Sequence, residues 1–225
     1  MAKKVFLGIG HGGKDSGAVG NGLQEKDLNL TIALAAKDVL VEHGVDVKTS
    51  RAKDENDPLD DRIKECNSFV PDLALDIHNN AGGGDGAEVF YHYKGGTSKT
   101  LAENIASEIE KTGQNLRLGT SGKKDGLKVK LNDAGKDYFG FIRETVAPAV
   151  IVECAFLDNK TDIAIIDTEA EQKTMGIAIA KGILKTLDIA YVEEKKETPK
   201  VEEKTISFNE LQSKLKSEGY TKIIL

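Results

Sequence analysis

No stretch of the 225-residue chain comes near the roughly 18 consecutive apolar residues that a membrane-spanning helix needs. The first apolar segment, Val5 to Ile9 in "MAKKVFLGIGHGG", is shorter than the about 7–15 residues of a signal-peptide core and runs straight into a histidine loop. It reads as a buried first strand, and the expectation is synthesis in the cytoplasm without a signal peptide. Cysteine is scarce. Cys66 and Cys154 each stand alone in apolar surroundings, which excludes a CxxC redox or zinc motif and predicts two reduced, buried thiols. Positive charge is not in excess either. A net charge of −6 argues against nucleic acid as a partner. There is no internal repeat.

What is present is an alternation of strand and helix patterns. Strands are predicted at Val5–Gly10, Val45–Thr49, Asp72–His78, Ala87–Tyr93, Leu127–Leu131 and Ala149–Cys154, the last a β-branched apolar run suited to the centre of a sheet. Between Glu25 and about His43, apolar residues at Leu28, Ile32, Ala35, Ala36, Val39 and Leu40 follow helical spacing, and Gly44 stops the helix. Pro58 opens a second helix with Leu59, Ile63 and Cys66 on one face. Ser98 caps a third, running to about Lys111. Asp158 or Asn159 caps a helix into Ile166, and Thr168–Leu187 reads as a long final one. This order predicts a three-layer α/β fold with a twisted, mainly parallel sheet flanked by helices.

Composition changes near Tyr191. Residues 1–190 read as one catalytic domain, and residues 191–205 as an extended charged linker. Seven Lys balance seven acids after residue 190, so the whole negative excess sits on the first part. Residues 206–225 look locally folded. Ser207 and Glu210 form a capping box, Gly219 ends the helix and a "KIIL" strand follows. So short a piece cannot bury a core alone. It is expected to dock on the main domain, to form a homodimer, or to be the stub of a larger module.

Three polar residues share a position in this pattern. His11 follows the first strand, His78 ends "DLALDI" and Glu153 ends "AVIV". Ligands of open parallel sheets bind beyond the carboxyl ends of strands, so the three should converge. Glu25, at the start of the first helix, can point to the same side. Two imidazoles and a carboxylate make a common catalytic zinc set, and a second carboxylate beside the attacking water would serve as general base. Each residue also has a structural reading. His11 fits a turn, Glu25 suits a helix N-terminus, and His78 could bond the "HNNAG" backbone. Glu153 is hardest to dismiss, because a carboxylate at the end of a buried apolar strand must be paired or functional. His43 and His92 read as structural. Gly8, Gly10, Gly12 and Gly13 lack the Gly-Lys-Ser/Thr ending of a phosphate loop.

These blocks resemble the zinc-dependent N-acetylmuramoyl-L-alanine amidases of the amidase-3 type, which occur as autolysins, sporulation amidases and phage endolysins. "GHGGKDSGAVGNGLQEKDLNL" resembles the opening block and "DLALDIHNNAGGGDGAEVFYH" the second-histidine block. "SRAKDENDPLDDR" resembles the arginine block, with Ser50 where Thr is usual. "PAVIVECAFLDNKTD" resembles the glutamate block, with Cys154-Ala155 where Leu-Gly or Cys-Gly is usual. The likeness runs from about Lys4 to Leu187. It implies Zn2+ held by His11, Glu25 and His78, with Glu153 catalytic. It implies peptidoglycan as substrate, cleaved between the lactyl group of N-acetylmuramic acid and L-alanine of the stem peptide. Arg143, Asn80 and Asp15 are candidate substrate contacts. The alternative is another zinc peptidase acting on stem peptides. Action on the wall would follow release by a holin or by cell lysis.

Overall fold

A computed structural model of the chain describes residues 2–193 and 208–217. Linker residues 194–205, the Ser207 cap, Gly219 and the "KIIL" end, with the docking or dimerising role expected of them, lie outside the described residues. The chain divides after Val192 into two units.

In the first unit the order is β1 (Lys4–Ile9), a small hairpin of β2 (Val19–Gly20) and β3 (Leu23–Gln24), α1 (Glu25–Glu42), β4 (Asp46–Thr49), α2 (Leu59–Phe69) and β5 (Leu73–Asn80). There follow β6 (Glu88–Tyr91), α3 (Thr97–Glu110), β7 (Leu127–Lys128), α4 (Gly140–Glu144), β8 (Ala149–Phe156), α5 (Lys160–Ile163) and α6 (Glu169–Thr186). The described part of the second unit is α7 (Phe208–Ser217).

The main sheet has the order β4-β1-β5-β8-β6-β7. All neighbours are parallel except the β8–β6 pair. Helices cover both faces, which matches the three-layer, mainly parallel expectation. Strand side chains alternate between faces. On one face Val5, Leu7, Ile9, Leu75, Ile77, Val150, Val152 and Cys154 form a core with α1, α3 and α6. On the other, Phe6, Ala74, Ala149 and Ile151 pack with Ile63 and Cys66 of α2 and with Phe141 and Ile142 of α4. Continuing that second face toward the carboxyl ends gives Gly8 on β1 and Gly10 just past it, Asp76 and His78 on β5, and Glu153 on β8. The apolar layer is thus replaced by polar groups where the short helices no longer cover the sheet.

Several boundaries differ from expectation. β5 and β8 each run two residues past His78 and Cys154, because their parallel ladder continues across a register shift to Asn80 and Phe156. β6 stops at Tyr91; the next residue, His92, instead pairs with Asp137, Nε2 to Oδ2 at 3.2 Å. β7 ends at Lys128, short of the expected Leu131. The cap of α3 is Gly96, not Ser98. Its φ of 69° suits glycine, and the buried Ser98 donates to the Gly95 carbonyl. The helix capped by Asn159 ends at Ile163 rather than Ile166. Leu59 does not share the buried face of Ile63 and Cys66. It is 43% exposed, at the first residue of α2. Thr168 and Glu171 form a full capping box at α6.

Candidate metal centre and active site

His11 lies just past β1 in left-handed backbone, with φ 62°, and the turn continues through Gly12 (φ 140°) and Gly13 (φ 58°). Arg51 pins this turn from below. Its buried guanidinium donates to the carbonyls of Ile9, Gly10 and Lys26 at 3.3, 3.3 and 2.7 Å. Ser50 keeps the hydroxyl that Thr would offer: it accepts from the Ile9 amide and donates to Asp57. The β2–β3 hairpin then returns the chain to Glu25.

Glu25 does not cap α1. Its carboxylate accepts from the amides of Ala18 (2.8 Å) and Asn79 (3.0 Å) and from Asn29 Nδ2 (3.3 Å). Its two oxygens also face the imidazoles, His11 Nε2 at 3.1 Å and His78 Nδ1 at 2.9 Å. One donor atom each from His11, Glu25 and His78 lie within 4.8 Å of one another. Burial works against charge on Glu25, but the bonds to His11 and His78 outweigh it and hold its pKa well below the usual carboxylate range. Burial likewise opposes charge on His78, yet Asp76 and Glu25 raise its pKa well above the ordinary value. The bond to Glu25 raises that of His11. This pocket favours positive charge at its centre, which is what a divalent cation brings.

The ring nitrogens facing away from the cluster are held by carboxylates. Asp15 Oδ2 is 2.8 Å from His11 Nδ1, and Asp76 Oδ2 is 3.4 Å from His78 Nε2. Such partners fix the tautomer and aim of a metal-binding imidazole. Asp76 is itself clamped by the buried Arg62, whose other partner is Asp57.

Space for these groups comes from β1. A Cβ on Gly10 would meet the His78 ring at 2.2–2.5 Å, and one on Gly8 would meet Asp76 Oδ1 at 2.6 Å. Those two glycines are therefore needed for close approach, whereas Gly12 and Gly13 are needed for the turn.

Glu153 lies in register between His78 on β5 and Glu88 on β6. Its Oε2 is buried without a hydrogen-bond partner among the described residues. Burial pushes its pKa up to about 7. His78 opposes the shift, and the nearby carboxylates of Glu25, Glu88 and Asp76 add to it. The side chain opens on a cleft of ≈ 310 Å³ that also reaches His11, Asp15 and His78, with Pro58, Leu59 and Phe139 on the far wall.

The structure thus brings His11, Glu25, His78, Glu153 and Asp15 together. Asn80 and Arg143 do not line this cleft. Asn80 donates to Glu88 at 3.1 Å and accepts from the Ala81 amide. Arg143 donates to the carbonyls of Asp137 and Tyr138, next to Phe139, and lines a separate depression with Val146 and Pro148. Sequence reasoning missed Asp76, Arg62 and Glu88. Asp76 carried a usable signal, since a carboxylate inside the apolar "LALDI" needs a partner as much as Glu153 does. Both cysteines are buried, and burial pushes the Cys66 thiol up to about 12 and that of Cys154 higher still.

A family model described as N-acetylmuramoyl-L-alanine amidase (Amidase_3) matches residues 5–185. The chain is 35% identical over 183 residues to the sporulation-specific N-acetylmuramoyl-L-alanine amidase of Bacillus subtilis (strain 168), covering 80% of this chain and 66% of that protein. Among solved structures, Cwp6 from Clostridium difficile matches with TM-score 0.77 and 38% identity, over 83% of this chain and 30% of the other. The catalytic domain of the N-acetylmuramoyl-L-alanine amidase CwlV from Bacillus (Paenibacillus) polymyxa var. colistinus matches with TM-score 0.71 and 30% identity, over 84% and 99%. The chain therefore spans about two thirds of the Bacillus subtilis protein, under a third of Cwp6 and nearly all of the CwlV domain.

Proposed function

The chain belongs to the N-acetylmuramoyl-L-alanine amidase family, and from that premise we propose that it hydrolyses the peptidoglycan amide between the lactyl group of N-acetylmuramic acid and L-alanine. His11, Glu25 and His78 hold a zinc ion, and Glu153 carries the proton. Support for the metal comes from the donor set: two imidazoles and a carboxylate clustered within 4.8 Å, each imidazole backed by a second carboxylate. When bound, zinc supplies a Lewis acid that polarises the lactyl carbonyl and lowers the pKa of a water toward ~7.

The observation that carries the reading is Glu153, a buried carboxylate with one unpartnered oxygen beside the cluster. Burial raises its pKa above the ordinary carboxylate value, which suits a group that must both take and release a proton. It accepts the proton of the attacking water and delivers it to the departing alanine nitrogen. The C–N bond breaks and a C–O bond forms, leaving a lactyl carboxylate and a free L-alanine amine. No acyl-enzyme is needed, and Cys154, fully buried with a raised pKa, is not available to form one.

Residues 1–190 carry this activity. The shift in composition after Tyr191 supports a separate role for residues 206–225 in docking, dimerisation or wall binding. Deleting Thr205–Leu225 should change oligomeric mass or wall binding if so. Among the described residues no helix is long and apolar enough to cross a membrane, and the proposed site of action is the wall, reached through a holin or on cell lysis.

The test is metal analysis of the purified protein together with product identification on purified peptidoglycan. The expected result is bound zinc, newly freed L-alanine amines and intact glycan bearing lactyl carboxylates. Cuts confined to bonds within the stem peptide would instead indicate a zinc peptidase. Glu153→Gln should keep the metal and lose wall lysis by about 10²-fold or more; full lysis by the metal-loaded variant would remove Glu153 from the mechanism.

A further inference from the structure

Beyond the metal cluster the sheet continues through β6 to β7. Register sets Glu88 opposite Glu153, and Lys128 beside Phe90. Paired residues share a face, so Glu153, Glu88, Phe90 and Lys128 stand on one side of the sheet, the side on which the cleft opens. Lys128 is two strands from Glu153 and two residues off its register, so at roughly 4.8 Å per strand and 3.3 Å per residue their backbones are about 12 Å apart.

Two cations gather on Glu88. Its Oε2 is 3.1 Å from Arg117 Nε and 3.6 Å from Lys128 Nζ. Arg117 has its guanidinium carbon 4.6 Å from the centre of the Phe156 ring. Its side chain is 30% exposed and that of Lys128 23%. Arg117 Nη1 packs over Gly84, where a Cβ would come within 2.2 Å of it, so the absence of a side chain there leaves room for the guanidinium. One carboxylate against two cations leaves a net positive charge. Lys130, 4.0 Å over the Tyr138 ring, flanks the same side. The charge is local. Residues 117–136 hold one Arg and five Lys against two Asp, in a chain whose net charge is −6.

The site around Glu153 is crowded with carboxylates, so an anionic stem peptide needs a compensating cation along its path. The residue after L-alanine is a D-glutamate linked through its side chain, which leaves its α-carboxylate free, or the corresponding amide, D-isoglutamine. That group is about two residue lengths, roughly 7 Å, from the scissile nitrogen. Glu88 neighbours Glu153 across one strand spacing of about 5 Å and holds both cations within 3.6 Å. That sets them on the scale of this separation, and a guanidinium can match a carboxylate with two parallel bonds.

Resting on the amidase reading, we propose that Arg117 and Lys128, gathered by Glu88, form an anion subsite for the α-carboxylate of the second stem residue. The subsite makes the enzyme prefer stems with D-glutamate over those amidated to D-isoglutamine.

The test uses the zinc-loaded full chain and two peptidoglycan fragments that differ only in that group. Loss of one charge-assisted contact predicts a KM about tenfold higher for the amidated fragment, with little change in kcat. In the Arg117→Gln/Lys128→Met double variant the two KM values should converge, while Arg117→Lys keeps part of the preference. Equal KM values in the wild type would overturn the subsite while leaving the amidase reading intact, as would a preference that survives in the double variant. Cleavage of neither fragment at full metal loading would instead overturn the amidase reading on which the subsite rests. If the double variant does not fold, the wild-type comparison still decides.

Discussion

The Asp76 carboxylate stands 3.4 Å from His78 Nε2, on the side of the ring opposite the nitrogen that faces Glu25. Both of its oxygens also accept from Arg62 Nη1, at 3.0 and 2.9 Å. The buried cation of α2 thus holds the anion that aims the histidine of β5. Removing Arg62 leaves Asp76 charged, buried and unpaired by any Arg. Arg62→Ala should therefore destabilise the protein by about 3–5 kcal/mol and weaken metal binding with it. Urea unfolding of the metal-free protein measures the first effect. A loss under 1 kcal/mol would mean that His78 alone suffices to neutralise Asp76.

Asp15 offers the complementary case. It contacts His11 Nδ1 at 2.8 Å, but its side chain is 68% exposed, so little folding free energy depends on it. Asp15→Asn should lower metal affinity about 10–100-fold with the melting temperature of the metal-free protein unchanged. Competition with a chelator of known affinity reads the change. An unaltered affinity would leave Asp15 as a wall of the cleft and nothing more.

Glu153 gives a pH signature in chelator-treated protein. Its folded pKa, about 7, lies above the 4.5 of an unperturbed glutamate. Between these values the folded state holds a proton that the unfolded state has lost, so stability falls as pH rises through this window. Below about 4.5 the group costs nothing. Above about 7 the full penalty of a buried charge applies, at most about 3 kcal/mol. Glu153→Gln should then raise the melting temperature at pH 8 and leave it nearly unchanged at pH 4.5. A shift of equal size at both values would trace the effect to packing rather than charge.

The four central residues were legible in the sequence because each sits at a feature that sequence displays well. His11, His78 and Glu153 follow or close apolar strand patterns, and Glu25 opens a periodic helix. A parallel sheet brings such ends together whatever the intervening loops do. The supporting residues were less visible. Arg62 reaches Asp76 across 14 positions and Arg117 reaches Glu88 from another loop. Such pairings depend on side-chain reach, which periodicity does not encode. Asn80 and Arg143 have residue types suited to substrate contact, yet each bonds a nearby protein group: Asn80 with Glu88 and the Ala81 amide, Arg143 with the carbonyls beside Phe139. Local hydrogen bonding placed them, and no pattern of spacing reports that. The β2–β3 hairpin was missed because two-residue strands carry no alternation to read.

Gly10 shows the same limit and yields the sharpest structural test. In the sequence it is one of several glycines around His11, all of them compatible with a turn. Its backbone is not left-handed, so an alanine there carries no φ penalty. What an alanine would meet is the His78 ring, with three ring atoms at 2.2–2.5 Å. A Cβ cannot sit that close, and the ring is held by Asp76 and Glu25, so it can move only by breaking those contacts. Gly10→Ala should cost about 1–3 kcal/mol as an overpacked site and reduce metal affinity at least as much as Asp15→Asn. Gly22→Ala is the control. Gly22 has φ 82° with nothing within 4 Å of a new Cβ, so its strain of about 1–2 kcal/mol is confined to the backbone. Metal affinity should then separate two variants of similar stability. If Gly10→Ala binds metal as tightly as Gly22→Ala, β1 does not set the position of His78.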